Sequence, residues 1–192
     1  MRRQHGMMLD DRIVPYLQMA SPYHLARLNE SWFRLDESLV SAFVERWRPE
    51  THTFHMPFGE CTIILQDVAY HLGLPINGQY VSGCLTDFPR FIEGGRPPWV
   101  WEMFSELPQG ADDETVRRYA RAYIMMLLST QLFGDKSGTR LHIRWLPYVT
   151  RLEHMGQYSW GSAALSWLYR CMCRVTNRNV VKWPLASRWG GY

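Results

Sequence analysis

The run Asp113-Glu-Thr-Val-Arg-Arg-Tyr-Ala-Arg-Ala-Tyr-Ile-Met-Met-Leu-Leu-Ser-Thr-Gln-Leu132 decides the fold class. Its apolar members Val116, Tyr119, Ala120, Tyr123, Ile124, Leu127, Leu128 and Leu132 recur every three or four positions, the spacing of a helix that buries one face. Asp112 or Asp113 can cap its start, Asp113 and Glu114 complement the positive end of the helix dipole, and Gly134 marks its end. A strand would instead alternate apolar and polar residues. The longest regular element of the chain is therefore expected to be helical.

Working outward toward higher numbers, Asp135-Lys136-Ser137-Gly138 reads as a loop, and Trp145, Leu146, Val149 and Leu152 as a short helix near Pro147. Ser159 offers a cap for another helix, with Trp160, Ala163, Ala164, Trp167, Leu168, Cys171, Met172 and Val175 on its buried face. Beyond Thr176 the pattern lapses, and residues 177–192 read as an irregular tail. Toward lower numbers, residues 82–111 carry Pro89, Pro97, Pro98, Pro108 and Gly94-Gly95. They read as a loop-rich connection pinned by Trp99, Trp101 and Phe104.

Leu39, Val40, Phe43, Val44 and Trp47 form one helical stripe, capped by Asp36 or Ser38 and stopped by Pro49. Thr51 to Met56 is rich in strand-favouring residues and breaks at Pro57-Phe58-Gly59-Glu60, a turn. A helix capped at Thr62 and carrying Ile64, Leu65, Val68, Ala69 and Leu72 should end at Gly73, with Pro75 preventing continuation. Ile76 to Val81, interrupted at Asn77-Gly78, reads as a second extended piece that pairs near Phe54. Ser21 as an N-cap, with Pro22 at the first helical position, opens a short helix through about Leu28, whose Leu25 and Leu28 face the core. Residues 1–20 show no clear period and read as an extended lead-in. The expected fold is mainly α: one helical domain over residues 21–176 with a small accessory β-hairpin or sheet.

Length and composition agree with one packed body. The chain has 192 residues, of which 46% are hydrophobic, with nine tryptophans, ten tyrosines and eight phenylalanines to bury. No stretch of about 18 apolar residues is present, so no spanning helix and no membrane association are expected. Arg2 and Arg3 lead into His5, Asp10 and Asp11 rather than an apolar run, so no secretory signal is expected either. Four cysteines in such a chain read as reduced thiols, with Cys171 and Cys173 on different faces of their helix.

Charge is unevenly placed. Residues 1–114 hold nine basic against sixteen acidic side chains, and residues 115–192 hold twelve against two, Asp135 and Glu153. Nineteen of the 21 basic residues are arginine, suited to planar contacts with carboxylate or phosphate. The asymmetry implies either an anionic partner or attraction between packed halves. Arg117, Arg118, Arg121, Arg170, Arg174 and Arg178 are the candidates for nucleic-acid contact. Trp160 and Trp167 fall on the apolar stripe, so a core role is expected before a base-stacking one.

Catalytic constellations fail on their own chemistry. His52, His55, Cys61 and Cys84 invite a zinc site, but His52 and His55 on an extended segment face opposite ways and no Cys-x-x-Cys pair exists. Cys61, just ahead of the helix expected at Thr62, could be an activated thiol, though a small apolar plug is the simpler reading. Glu60 and Asp67 could pair as acid and base, yet Asp67 on a helix surface is more simply solvated. A phosphate-binding Gly-Lys-Ser/Thr loop is missing, and Lys136 and Lys182 are poor Schiff-base candidates. No catalytic, cofactor-binding or metal residue is assigned, and no small-molecule substrate is evident.

Several stretches together carry a family resemblance: LVSAFVERWRPETHTFHMPFGECT (39–62), LQDVAYHLGLP (65–75), ING (76–78), LFGDKSG (132–138) and GQYSWGSAALSWLY (156–169). In this order they resemble the plant mobile domain family over residues 20–175. The resemblance implies a nuclear, non-enzymatic domain shared between plant genes and transposable elements. It further implies roles in transposon and gene silencing, genome stability and meristem maintenance. Nuclear proteins are the partners it implies first; a transposon-derived DNA- or RNA-binding module is the alternative. Some relatives are fused to a serine/threonine phosphatase, but this chain has neither phosphatase metal motifs nor a suitable cofactor lysine. After Arg174-Val-Thr-Asn-Arg178, members of the family continue into a glycine-led helix rich in leucine and tryptophan. Asn179 to Tyr192 stands in its place here, as in a short form.

Overall fold

In the computed structural model the described residues are 8–31, 36–82, 106–134 and 143–176. They build a mainly helical domain with one small antiparallel sheet. The chain enters through a 3₁₀ turn, Asp11–Ile13, capped by the Asp10 carboxylate, which accepts from Arg12 N–H at 2.9 Å. Helices α1 (Val14–Ala20) and α2 (Tyr23–Glu30) follow.

The expectation of an extended lead-in over residues 1–20 is corrected here for residues 11–20. Ile13, Leu17 and Ala20 recur at helical spacing and are fully buried. Pro15 sits in the first turn of α1, where no N–H is required, and so does not break the helix. Ser21 is likewise not a cap of α2: it ends α1 in a left-handed conformation.

The middle of the chain forms a separate lobe. Helix α3 (Glu37–Arg46), capped by Asp36 through Leu39 N–H at 3.0 Å, runs directly into strand β1 (Trp47–Arg48). Strands β2 (Thr53–Met56) and β3 (Gly59–Cys61) form a hairpin across Pro57-Phe58. The strand order is β1-β2-β3, with Trp47 opposite Phe54, and Phe54 opposite Cys61.

Ile76–Val81 therefore does not join this sheet, contrary to the sequence expectation, because Trp47 takes the position beside Phe54. Gln79 instead bridges Tyr158: its N–H donates to the Gln157 carbonyl at 2.8 Å, and Ser159 N–H donates to its carbonyl at 2.9 Å. Gly78 makes this approach feasible. At φ 120° it sits where a Cβ would lie 2.2 Å from the Gln157 oxygen. Helix α4 (Leu65–Leu72) is capped by the Asp67 carboxylate on Ile64 N–H at 2.8 Å rather than by Thr62, and stops at Gly73 as expected.

Helix α5 (Asp113–Met126) starts at Asp112, which accepts from Thr115 N–H, and continues as a π-helical segment, Leu127–Leu132. The chain then passes through a 3₁₀ turn (Ile143–Trp145), α6 (Leu146–Val149) and α7 (Leu152–Met155) to α8 (Trp160–Thr176). The core is centred on α5, against which α1 and α6 pack, while α1 also meets α2 and α7. Tyr123, Ile124, Leu127, Leu17 and Leu152 are completely enclosed. Phe133 stacks on Trp145 with centroids 4.5 Å apart, and Trp160 joins them, donating its Nε1–H to the Met155 carbonyl at 2.8 Å. The readings for Trp99, Trp101, Phe104, the 135–138 loop and the 177–192 tail lie outside the described residues.

Candidate functional site

A concave groove of about 510 Å³ lies along one face of α8. Ser162, Leu165, Ser166, Tyr169, Arg170 and Cys173 supply the helical side, recurring at three- and four-residue intervals. Leu65 at the start of α4 and His52 from the β1–β2 connection supply the other. Leu65, Leu165, Tyr169 and Cys173 are half-buried, whereas His52, Ser166 and Arg170 are exposed at the edge. An apolar interior with a cationic edge results.

Tyr169 organises this region. Its hydroxyl donates to the Ile63 carbonyl at 2.6 Å and lies 2.9 Å from the Thr62 hydroxyl, which donates to the His52 carbonyl at 2.7 Å. The His52 ring stacks on Tyr169 almost in parallel, with an interplanar angle of 3° and centroids 5.5 Å apart. Trp47, fully buried, contacts both rings and Phe54. His52 holds a left-handed backbone at φ 55°, sparsely populated by residues other than glycine. Its N–H bonds to the Arg48 carbonyl at 2.9 Å, so the ring stack and the tight turn together hold the strained residue in place.

Five of the six arginines singled out from sequence lie within the described residues, three on α5 and two on α8. Arg117 pairs with Glu153 at 2.6 Å and lies over the Tyr16 ring at 5.8 Å; Arg121 donates to the Thr150 carbonyl at 3.3 Å. Both are turned toward the α6–α7 segment. Arg118 is exposed near Asp112, whose carboxyl is held below its ordinary pKa by the Thr115 hydrogen bonds and, to a smaller extent, by the Arg118 charge. Arg170 and Arg174 are exposed on α8, with Arg170 at the groove. Arg178 lies outside the described residues. The pairs Arg12–Asp10 and Arg117–Glu153 each stay within one half of the chain. They therefore do not spend the charge difference between the halves.

The remaining candidates separate as well. Glu60 faces His55 at 3.3 Å across the hairpin, while Asp67 caps α4, so these carboxylates serve different elements. Cys61 belongs to β3 and not to a helix N-terminus, which removes the reason for expecting an activated thiol there. Among the described residues no group of three or more His, Cys, Asp or Glu converges on a metal position. Cys171 points elsewhere than Cys173, and burial raises its thiol pKa. Tyr169 was missed from sequence, and His52 was weighed there only as a metal ligand: the groove lies opposite the apolar stripe of α8, and the left-handed turn at His52 has no composition signal.

The described residues define a mainly helical domain with a ring-hinged hairpin lobe and a groove between the lobe and the last helix. The family model for the plant mobile domain matches residues 23–93 and 95–186, and the chain belongs to that family. The matched stretch includes the first part of the segment read as a tail. Among curated relatives from Arabidopsis thaliana, the chain is 39% identical to "Serine/threonine-protein phosphatase 7 long form homolog" over 166 residues, covering 78% of this chain and 12% of that protein. It is 34% identical to "Protein MAINTENANCE OF MERISTEMS" over 171 residues, 77% of this chain and 36% of that protein. To "Protein MAIN-LIKE 1" it is 36% identical over 158 residues, 72% of this chain and 31% of that protein. The chain thus spans about a third or less of the length of these relatives. No solved structure matches it.

Proposed function

We propose that this domain is a non-enzymatic nuclear module that supports transposon and gene silencing, genome stability and meristem maintenance by binding other proteins. One observation carries the protein-binding part: the groove along α8 combines an apolar interior with, among the described residues, a single lining arginine, and both of its walls fall within the family match. Such a surface suits side-chain docking better than turnover. The biological setting rests on the likeness to proteins named for meristem maintenance. The phosphatase name is not carried over, because the chain aligns with only 12% of that polypeptide.

A transposon-derived nucleic-acid module is the second reading, favoured by the excess of twelve basic over two acidic residues in positions 115–192. Purification of the tagged chain from plant nuclei, with and without nuclease, separates the two. Protein partners that survive nuclease support the first reading, and loss of every partner supports the second. Exclusion of a fluorescent fusion from nuclei overturns the nuclear assignment.

A further inference from the structure

The groove also indicates what kind of partner it fits, an inference that rests on the protein-binding reading above. Its helical side runs from Ser162 to Cys173, eleven residue steps and so roughly 16 Å, the span of about five residues of extended peptide. The half-buried Leu65, Leu165 and Tyr169 present apolar surface that an inserted side chain would take out of water. At the edge, Arg170 is exposed, and among the described residues no carboxylate pairs with it. No Asp or Glu follows Glu153 anywhere in the sequence, so the helix bearing this arginine is uniformly positive.

Nucleic acid fits less well. A strand of it needs several phosphates neutralised. Among the described residues Arg170 is the one arginine lining the groove, and Arg117 and Arg121 are committed to Glu153 and Thr150. One face of Tyr169 is already covered by His52, which limits base stacking there.

We propose that the α8 groove is a docking site for a short acidic peptide segment: an apolar side chain packs against Leu165 and Tyr169, and a neighbouring carboxylate pairs with Arg170. The test is fluorescence anisotropy with the full chain and a labelled ten-residue peptide carrying one leucine flanked by Asp and Glu. The controls are the same peptide with lysine for each acid, the same peptide with serine for leucine, and an oligothymidine. The acidic leucine peptide should bind and the control peptides should not. Arg170→Glu should weaken binding by about tenfold or more. Ser166→Trp, which fills the groove from an exposed position, should abolish it. Arg118→Ala, on α5 outside the groove, should leave it unchanged, and circular dichroism confirms that each variant is folded.

Failure of the acidic peptide to bind, or binding that neither groove variant alters, overturns the proposal. Oligothymidine binding that is lost on Arg170→Glu overturns it in favour of nucleic acid. If the peptide fails while nuclease-resistant protein partners persist in nuclei, only the groove assignment falls. If the peptide binds but the chain is excluded from nuclei, the nuclear role falls instead.

Discussion

The α5-centred core and the hairpin lobe hold themselves together in different ways. The core joins α1, α2, α5, α6 and α7 through a continuous set of buried aliphatic and aromatic side chains, from Ile13 to Ala164. In the lobe, α3 buries no residue completely, and the enclosed side chains of the sheet are Trp47 and Phe54, which stand apart from that set. Leu39 and Phe43, two members of the apolar stripe of α3, remain exposed at 56% and 37%. The lobe is thus a satellite, fastened by rings around Tyr169 rather than by depth of burial. Helix α8 serves both regions, with Trp160 and Ala164 toward the core and Tyr169 toward the lobe.

That contrast can be broken from the core side first. Trp160→Ala removes an enclosed ring and its hydrogen bond to the Met155 carbonyl, and should cost about 3–5 kcal/mol. Thermal denaturation should show a single transition at a much lower temperature, because the core cannot lose this side chain locally. If only the lobe loosens, the division between the two regions is wrong.

Trp47→Ala tests the satellite. It deletes the ring that contacts Phe54, His52 and Tyr169 together, and the cost should fall near the lower end of the same range, about 3 kcal/mol. Amide exchange should accelerate across residues 47–61 while α1 and α5 keep their protection. Equal acceleration in α5 would show that the lobe and core unfold as one unit.

The smallest effect belongs to the exposed Arg117–Glu153 pair. Glu153→Gln should cost about 1 kcal/mol or less. The Glu153 carboxyl is held below its ordinary pKa first by its own backbone N–H and then by the charges of Arg117, Arg121 and His154. Because its folded pKa is the lower one, its stabilisation is present above the unfolded glutamate pKa and disappears as pH falls through the folded value. Denaturant midpoints of wild type and variant should therefore differ at neutral pH and converge on the acid side.

Sequence reading reached locally set features better than those set by distant contacts, for a physical reason. The period of α5, the Gly73 stop, the Asp36 cap and the Pro57-Phe58 turn are local signals, each set by a few consecutive residues. Pro15 concealed α1 because proline is neutral only in a first turn, and the first turn is known only once the helix is. Trp47 read as the last member of the α3 stripe, yet it leaves the helix to pair with Phe54, a choice made by contacts with Tyr169 more than a hundred positions away. The groove was hidden in the same way: one wall comes from α8 and the other from His52 and Leu65. Arg117 and Arg121 looked available until α7 and its approach supplied Glu153 and Thr150.

The dependence of the hairpin on Tyr169 also sets an order for synthesis. Ribosomes add roughly 5–20 residues per second, so Trp47 waits on the order of ten seconds before Tyr169 has been added. During that interval its indole has His52 and Phe54 as ring partners and lacks the one that Tyr169 supplies.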